Sequence, residues 1–351
     1  MSDLDLDAPV RDRLLLVTVP GAVDHLAAEV ERAAATGSFT APVVRRLSDG
    51  LLVDHTGPLR PLAAVRPFSG CAVWLADRVP ADLADLDVTS LTGASRADGV
   101  LGALASAGPV GFRVAPDLGE SRWPLRDALE SDLGWPNTPA DWRVNLRSHG
   151  GALVADVGPL FQTARFGELA RMPASTTPVI SSVLVRLLKA EPGDLVLDPF
   201  CGAGTNLVVA AEAVPDLDRV GLDLDPRALA AARSNLTGTP GSWLLARSDA
   251  ARLPLPDGAV DRVVANLPFG KRIGTHAGNQ ELYPAFLRSV GRVLSARGRA
   301  VLLTEDKRLF LDAVQRTAGL KIVKETVLET GGLHPSAYVV TRGRGSGRKR
   351  R

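Results

Sequence analysis

Hydrophobic and polar positions alternate in two different ways along the chain. Up to Val157, short apolar strands and short helices follow one another in no fixed order, which is typical of an α+β fold. The predicted strands are Arg13–Val19, Arg45–His55 (a strand or a hairpin around Asp49-Gly50), Cys71–Leu75, Val110–Val114, Trp142–Leu146 and Leu153–Val157. The predicted helices are Ala22–Ala35, Ser95–Ala105 and Leu125–Leu133. We therefore expect an α+β module over residues 1–158.

After an irregular segment that contains prolines, strands and helices alternate regularly. Strands are predicted at Leu195–Leu197, Arg219–Asp223, Trp243–Ala246, Arg262–Ala265 and Arg299–Leu303, with helices between most of them. This alternation predicts a doubly wound, mostly parallel α/β sheet. Two closing strands, near Ile322–Leu328 and Ala337–Thr341, have no helix between them, so we expect an antiparallel pair that brings the sheet to seven strands.

These patterns predict four segments. They are the α+β module at 1–158, a linker at 159–174, an α/β domain at 175–342 and a basic, disordered tail at 343–351. The first helix of the α/β domain is expected to have Ser175 or Thr176 as its cap and Pro178 near its first turn.

Composition and charge exclude only a few classes of protein. The chain has 351 residues, which suits two domains, and its net charge of +2 gives no basic footprint for nucleic acid over the whole protein. We find no apolar run of about 18 residues and no apolar signal segment. Two cysteines are too few for a disulfide scaffold or a zinc site. We expect a reduced cytoplasmic protein with no membrane segment, no metal and no indicated protein partner.

The strongest local motif is the sequence DPFCGAGT, from Asp198 to Thr205. It follows an apolar strand and opens a helix, and its close glycines let the backbone approach a ligand. The third glycine of a dinucleotide fingerprint is missing, which argues against NAD. The Asp198 carboxylate would repel a pyrophosphate and suits a cationic group, such as the amino end of S-adenosylmethionine. A tight turn without a ligand is the alternative. The candidate cofactor residues here are Asp198, Phe200, Gly202, Gly204, Thr205 and Asn206.

Two further carboxylates follow the next two strands at nearly equal intervals. Asp223, beside Leu224, can bridge the two hydroxyls of a ribose, whereas Asp225 is better explained as a helix cap. Asp249, beside Ala250, could accept a hydrogen bond from an adenine amino group, or it could cap a turn. Three acidic strand ends in register are more specific than any one of them, and they predict a cofactor site.

The fourth motif is Asn266-Leu267-Pro268-Phe269-Gly270, directly after a strand. A side-chain amide oxygen and a backbone carbonyl beside proline can both accept from one exocyclic amine and so hold its lone pair towards a methyl group. Phe269 offers a stacking face for a base. A simple Pro-Gly turn is the alternative interpretation. The predicted catalytic residues are Asn266, Pro268 and Phe269.

These motifs together resemble the cofactor- and amine-binding motifs of amino-group methyltransferases. The stretch from Asn266 to Thr304 resembles in particular the THUMP-domain tRNA (guanine-N2)-methyltransferases, whose members that form N2-methylguanosine at tRNA position 6 share the Asn-Leu-Pro-aromatic-Gly pattern followed by a basic residue. The resemblance covers about residues 170–342. The segment LLLVTVPGAVDHLAAEVERA resembles the ferredoxin-like opening of this family, and Gly111–Val114 and Val144–Leu146 resemble THUMP segments.

The resemblance implies an S-adenosylmethionine-dependent Rossmann-like methyltransferase preceded by a ferredoxin-like and THUMP-like RNA-binding module. The implied partner is RNA, namely tRNA bound at its acceptor end. Lys271, Arg272 and Arg113 are then candidate contacts to the substrate. The same chemistry on ribosomal guanine, adenine N6 or protein glutamine stays open, and so does a non-catalytic RNA-binding protein on this fold.

Overall fold

The computed structural model describes residues 4–83, 86–161, 167, 169–173, 175–269 and 276–343. The chain divides into two compact units, Met1–Gly167 and Glu168–Arg351. Each unit contains a seven-stranded sheet. Within the described residues, none of the helices combines the length and the apolar character needed to cross a membrane.

The N-terminal unit is an α+β structure built on one sheet. Its strands are β1 (Pro9–Val17), β2 (Val43–Arg46), β3 (Gly50–Pro58), β4 (Gly70–Ala76), β5 (Phe112–Val114), β6 (Val144–His149) and β7 (Ala152–Val157). Its helices are α1 (Val23–Ala34), α2 (Arg60–Ala63), α3 (Val100–Ser106) and α4 (Arg122–Asp132). The strands lie in the order β2-β3-β1-β4-β7-β6-β5. The first four strands and two helices therefore have the ferredoxin-like β-α-β-β-α-β arrangement, with every neighbouring strand pair antiparallel.

Side chains of this sheet alternate between two apolar clusters, because successive residues of a strand point to opposite faces. In β1, Leu14 and Leu16 belong to a large cluster that includes the buried Leu26 of α1. Leu15, between them, belongs to a smaller cluster with Trp74 of β4. Burying each such leucine contributes roughly 1.5–3 kcal/mol.

One prediction for this unit needs correction, and one alternative is decided. The helix predicted over Ser95–Ala105 begins only at Val100, because Gly99 is extended (φ −85°, ψ 172°) and separates it from a short 3-10 turn at Ala94–Arg96. Of the two alternatives for Arg45–His55, the hairpin is confirmed, because β2 and β3 pair antiparallel on either side of Asp49.

The C-terminal unit is a doubly wound α/β structure. Its strands are β8 (Leu195–Asp198), β9 (Asp218–Asp223), β10 (Ser242–Arg247), β11 (Val260–Asn266), β12 (Leu294–Thr304), β13 (Leu320–Val327) and β14 (Ser336–Arg342). Its helices are α5 (Pro178–Leu188), α6 (Thr205–Ala213), α7 (Pro226–Leu236), α8 (His276–Val293) and α9 (Lys307–Arg316). The strands lie in the order β10-β9-β8-β11-β12-β14-β13.

The predicted mostly parallel sheet is only partly matched. The first five strands in this order run parallel, but β14 is antiparallel to β12 and β13 is antiparallel to β14. The connection between β13 and β14 is too short for the crossover that parallel strands need, so the closing pair is antiparallel, as predicted. The strand order reverses between β8 and β11, which opens a crevice at the carboxyl ends of these strands.

Helix α5 has a different cap from the two that the sequence pattern predicted. Thr177, not Ser175 or Thr176, caps it: this residue is extended (φ −72°, ψ 150°), and its Oγ1 accepts from the N–H of Ile180 at 3.4 Å. Pro178 is the physical reason. Proline suits the first helical position and pushes the residue before it out of the helical region, so the cap falls directly before the proline.

Candidate cofactor and substrate site

A cavity of about 830 Å³ lies in the C-terminal unit, at the carboxyl ends of the central strands. Its volume is in the range usual for small-molecule sites. Of the predicted site residues that the structure describes in this unit, all except Asp198 and Gly204 line the cavity. The fold brings the predicted site residues of four separate motifs together: Phe200, Gly202, Thr205, Asn206, Asp223, Leu224, Asp249, Ala250, Asn266, Pro268 and Phe269.

The lining is acidic. Asp223, Asp225 and Asp249 contribute carboxylates, and Arg227 is the one basic residue among the described residues of the lining. Arg227 is already paired with Asp225, with its Nη2 at 3.0 Å from Oδ2. This charge balance favours a cationic ligand and opposes a pyrophosphate.

Asp198 lies beneath the cavity and does not line it. It is fully buried at the end of β8, where Oδ1 accepts from the Phe200 N–H at 3.1 Å and Oδ2 accepts from Asn206 Nδ2 at 3.0 Å. Ser181 Oγ in turn donates to Asn206 Oδ1 at 2.7 Å. Burial raises the pKa of Asp198 to about 7, against the lowering effect of these hydrogen bonds, and the Asp223 charge adds to the increase. The predicted direct contact between Asp198 and a ligand is not supported by this position.

The two glycines of the first motif have different roles. Gly202 lines the cavity in the left-handed region (φ +52°), and a Cβ there would meet nothing within 4 Å. Gly204 (φ +78°) begins α6 away from the cavity, and a Cβ there would lie 3.1 Å from Cβ of Ala232 in α7. Gly202 therefore leaves room for a ligand, whereas Gly204 allows two helices to pack closely.

Asp223 links the first two motifs. Its Oδ2 accepts from the N–H of Gly202 and its Oδ1 accepts from the N–H of Asp225, both at 2.9 Å. Each carboxylate oxygen has a second lone pair, so Asp223 retains acceptor capacity towards the cavity. Asp225 caps α7 by accepting from the N–H of Arg227, as predicted.

Asp249 and Leu224 both line the cavity. Asp249 caps a short 3-10 turn, where its Oδ1 accepts from the N–H of Ala251 at 2.9 Å. This bond occupies one acceptor position of the carboxylate, so the capping role and a ligand role are compatible. Leu224 is 58% exposed although it is apolar. An exposed leucine in a cavity wall is suited to the flat apolar face of a ligand.

Asn266 has an unsatisfied acceptor at the cavity. Its Nδ2 donates to Thr176 Oγ1 at 3.0 Å, which fixes the orientation of the amide. Its Oδ1 is buried and has no hydrogen-bond partner among the described residues. A buried acceptor without a partner costs about 1–3 kcal/mol. We infer that this oxygen is kept for a donor on a ligand.

The carbonyl of Pro268 is already occupied. Asn279 Nδ2 and the hydroxyl of Tyr283, both from α8, each donate to it at 2.8 Å. Phe269 lines the cavity and is half-buried. The backbone acceptor predicted at this motif is therefore not the carbonyl of Pro268, whose two lone pairs are engaged. The carbonyl of Leu267 accepts from none of the described residues, and Leu267 lines the cavity.

Sequence reasoning missed three residues around this motif: Thr176, Asn279 and Tyr283. Thr176 is 90 residues from Asn266 along the chain. Asn279 and Tyr283 follow the motif in α8 but belong to no recognised sequence pattern, so only the three-dimensional contacts identify all three residues.

The turn between β13 and β14 supplies another wall of the cavity. Thr330 and Leu333 exchange two backbone hydrogen bonds at 2.9 and 3.0 Å, and the N–H of Leu328 donates to the carbonyl of Pro335 at 2.9 Å. Thr330, Gly331, Leu333 and Pro335 all line the cavity. The turn is thus closed on itself by its own backbone.

The predicted substrate contacts lie elsewhere or outside the described residues. Lys271 and Arg272 are outside them. Arg113 is on β5 of the N-terminal unit, where its guanidinium lies 4.6 Å from the ring centre of Trp142 and its Nε donates to Asn145 Oδ1 at 2.9 Å. These contacts hold the side chain in one orientation and leave its role towards a substrate as a prediction.

The C-terminal unit is similar in sequence to known methyltransferases. A family model described as the RMKL-like methyltransferase domain matches residues 168–336. The tRNA (guanine(6)-N2)-methyltransferase of Thermus thermophilus is 36% identical over 200 residues, which are 56% of this chain and 59% of that enzyme. The human tRNA (guanine(6)-N(2))-methyltransferase THUMP3 is 34% identical over 222 residues, which are 58% of this chain and 44% of that protein. The chain thus spans about half the length of the curated relatives that it matches.

The fold comparison covers nearly the whole chain. The crystal structure of TrmN from Thermus thermophilus superposes with a TM-score of 0.72 at 27% identity, over 94% of this chain and 99% of that one. The Rossmann-like methyltransferase fold and the resemblance to tRNA guanine-N2 methyltransferases, both predicted from the sequence, are confirmed by these matches.

Proposed function

From the RMKL-like methyltransferase domain that residues 168–336 match, we propose that this chain transfers a methyl group from S-adenosylmethionine to the N2 amine of a guanosine in tRNA. The matched relatives from Thermus and human are named for this reaction at guanine 6. Position 6, in the acceptor stem, is therefore the proposed target, and the cytoplasm is the proposed location.

The cavity suits S-adenosylmethionine in charge and in donor set. When bound, this cofactor supplies an activated methyl group on a positively charged sulfur. The acidic lining compensates that charge and the charge of the amino group. Asp223 would accept from the ribose hydroxyls, Asp249 from the adenine amino group, and Leu224 would cover the adenine face. Asp198 would act from below, through the turn that it holds.

The unsatisfied Oδ1 of Asn266 is the observation that carries the proposal. An exocyclic amine conjugated to a ring is a poor nucleophile, and hydrogen bonds from both of its N–H groups would hold its lone pair towards the methyl group. Oδ1 of Asn266 has no partner among the described residues, and we assign the carbonyl of Leu267, directly before Pro268, as the second acceptor. Asn266 is a neutral amide, so it orients the amine and does not act as a strong base.

The test is transfer of tritiated methyl from S-adenosylmethionine to total tRNA from a strain that lacks this gene, followed by nucleoside analysis. We expect label in N2-methylguanosine. Label in N6-methyladenosine, or in ribosomal RNA and not in tRNA, would overturn the proposed substrate. A chain that binds no S-adenosylmethionine would overturn the proposed chemistry.

Replacing Asn266 tests the site itself. We expect Asn266→Ala to lower kcat by at least about 100-fold, as is typical for loss of one preorganised hydrogen-bonding group, with the Kd for S-adenosylmethionine changed less than threefold (about 0.65 kcal/mol). Asn137→Ala, an exposed asparagine of the N-terminal unit, is the control. Equal losses of turnover and cofactor binding would contradict the assignment of Asn266 as the amine acceptor.

A further inference from the structure

A chain of hydrogen bonds runs from the end of β12 to the Asn266–Phe269 motif. The N–H of Asp306 donates to Thr304 Oγ1 at 3.0 Å, Thr304 Oγ1 lies 2.9 Å from the hydroxyl of Tyr283, and that hydroxyl lies 2.8 Å from the carbonyl of Pro268. Thr304 and Tyr283 are both fully buried. Neither lines the cavity, so neither is placed to touch a ligand.

The direction of this chain follows from its donors. A carbonyl can only accept, so the single proton of the Tyr283 hydroxyl goes to Pro268. The proton between Thr304 and Tyr283 must then come from Thr304, which itself accepts from the N–H of Asp306. Every hydroxyl in the chain donates once and accepts once. Hydrogen bonds aligned in this way polarise one another inside a protein.

Asn279 completes the arrangement on the same carbonyl. It is buried, it lies one helical turn before Tyr283 on α8, and its Nδ2 is 2.8 Å from the carbonyl oxygen of Pro268. With both lone pairs of that oxygen occupied, the peptide unit after Pro268 is held in one orientation. The N–H of Leu267 is also fixed, because it donates to the carbonyl of Leu303 at 2.9 Å.

We propose that Tyr283 and Thr304 are positioning residues for methyl transfer, which act through the carbonyl of Pro268 to aim the acceptors of Asn266 and Leu267 at the substrate amine. This inference rests on the proposed function of that motif. Tyr283, together with Asn279, also occupies the Pro268 carbonyl and so removes it as a competing acceptor for the amine.

The two tyrosines of the chain provide a matched pair of variants. Tyr283 and Tyr338 are both buried in the same apolar cluster, but Tyr338 stacks on Phe310 and makes no hydrogen bond with the Asn266–Phe269 motif. In steady-state methylation of tRNA, we expect Tyr283→Phe to lower kcat by about tenfold or more, since small misplacements of reacting groups are costly. KM values for S-adenosylmethionine and tRNA should stay within twofold. Tyr338→Phe should keep kcat within twofold.

A second pair at Thr304 separates positioning from folding. Thr304→Val keeps the shape and removes the hydroxyl, so we expect kcat to fall as in Tyr283→Phe. Thr304→Ser keeps the hydroxyl and should restore most of kcat. Equal losses in Tyr283→Phe and Tyr338→Phe, a kcat for Tyr283→Phe within twofold of the unaltered chain, or equal losses in both Thr304 variants would overturn the proposal.

A measurement without substrate distinguishes failure of this inference from failure of the proposed function. With 3-fluorotyrosine at both tyrosines, the ¹⁹F spectrum holds one signal for each residue, and Tyr283→Phe identifies them. We expect Asn279→Ala to shift the Tyr283 signal, because the two residues share one acceptor, and to leave the Tyr338 signal in place. An unshifted Tyr283 signal would overturn the inference whatever the substrate is. A shifted signal in a chain that methylates no tRNA would place the failure in the proposed function.

Discussion

At the scale of single residues, Asp198 shows that the spacing of motifs along the sequence does not predict how deeply a side chain is buried. The order of strand and motif correctly predicted a carboxylate at the end of β8. It could not predict that the turn after the strand folds over that carboxylate, so that Phe200 and Asn206 satisfy it and the ligand cavity begins above it. Asp223 and Asp249, at the ends of the next strands, do line the cavity as predicted.

The burial of Asp198 predicts a pH dependence of stability. Its pKa is about 7 in the folded chain against 3.8 for the ordinary group, so between about pH 4 and pH 7 the folded state keeps a proton that the unfolded chain has lost. The stabilisation that results is complete below pH 4 and is lost as pH rises through 7. We expect Asp198→Asn to remove this contribution. Denaturant unfolding of both proteins at pH 5 and pH 8 would measure it, and an equal drop in the free energy of unfolding for both would contradict it.

At the scale of secondary-structure elements, the existence of strands was easier to predict than their ends. All seven strands of the C-terminal unit were predicted. The five parallel strands are recognisable as short apolar runs between helices, and β13 and β14 as a closing pair with no helix between them. Their bounds depend on pairing: β12 begins at Leu294, where it pairs with Val260, although the apolar pattern suggested a start at Arg299. Partners such as Thr176 for Asn266 come from different elements, and no local pattern encodes them.

The start of α5 offers a prediction based on two adjacent threonines. Thr177 caps the helix, whereas Thr176 holds the amide of Asn266. We expect Thr177→Ala to lower the free energy of unfolding by about 1 kcal/mol, and Thr177→Ser to restore most of it. Thr176→Val should change stability less and lower kcat more. Chemical denaturation and methylation kinetics on the three variants measure both quantities, and a reversed order of effects would show that the two roles are assigned to the wrong residues.

At the scale of the whole molecule, the cavity belongs to one unit and the candidate RNA contact Arg113 to the other. Every described residue that lines the cavity lies in the C-terminal unit. The chain as a whole carries a net charge of only +2, so the proposed affinity for RNA must come from local basic residues and not from the overall field. Binding of the two proposed ligands, tRNA and S-adenosylmethionine, should therefore respond differently to salt.

We expect tRNA binding to weaken by at least about tenfold when salt rises from 50 to 200 mM, the loss that as few as two phosphate contacts would give. Affinity for S-adenosylmethionine should change little, because the cavity screens its contacts from solvent ions. Titrations of both ligands over this salt range test the difference. A flat response for tRNA would show that phosphate contacts contribute little.

The self-closed turn between β13 and β14 has a consequence for which part of the cavity wall tolerates substitution. Its backbone hydrogen bonds are made within the turn, but Gly331 and Gly332 both have positive φ (+55° and +76°), where other residues are strained. Leu333 is therefore the position of the turn that can be replaced at the least cost. The carboxylates of Asp198, Asp223 and Asp249 are more constrained, because each also accepts a backbone hydrogen bond from a neighbouring turn. A library that varies Leu333 alone would therefore reshape one wall of the cavity and leave the three carboxylates that we propose for the cofactor in place.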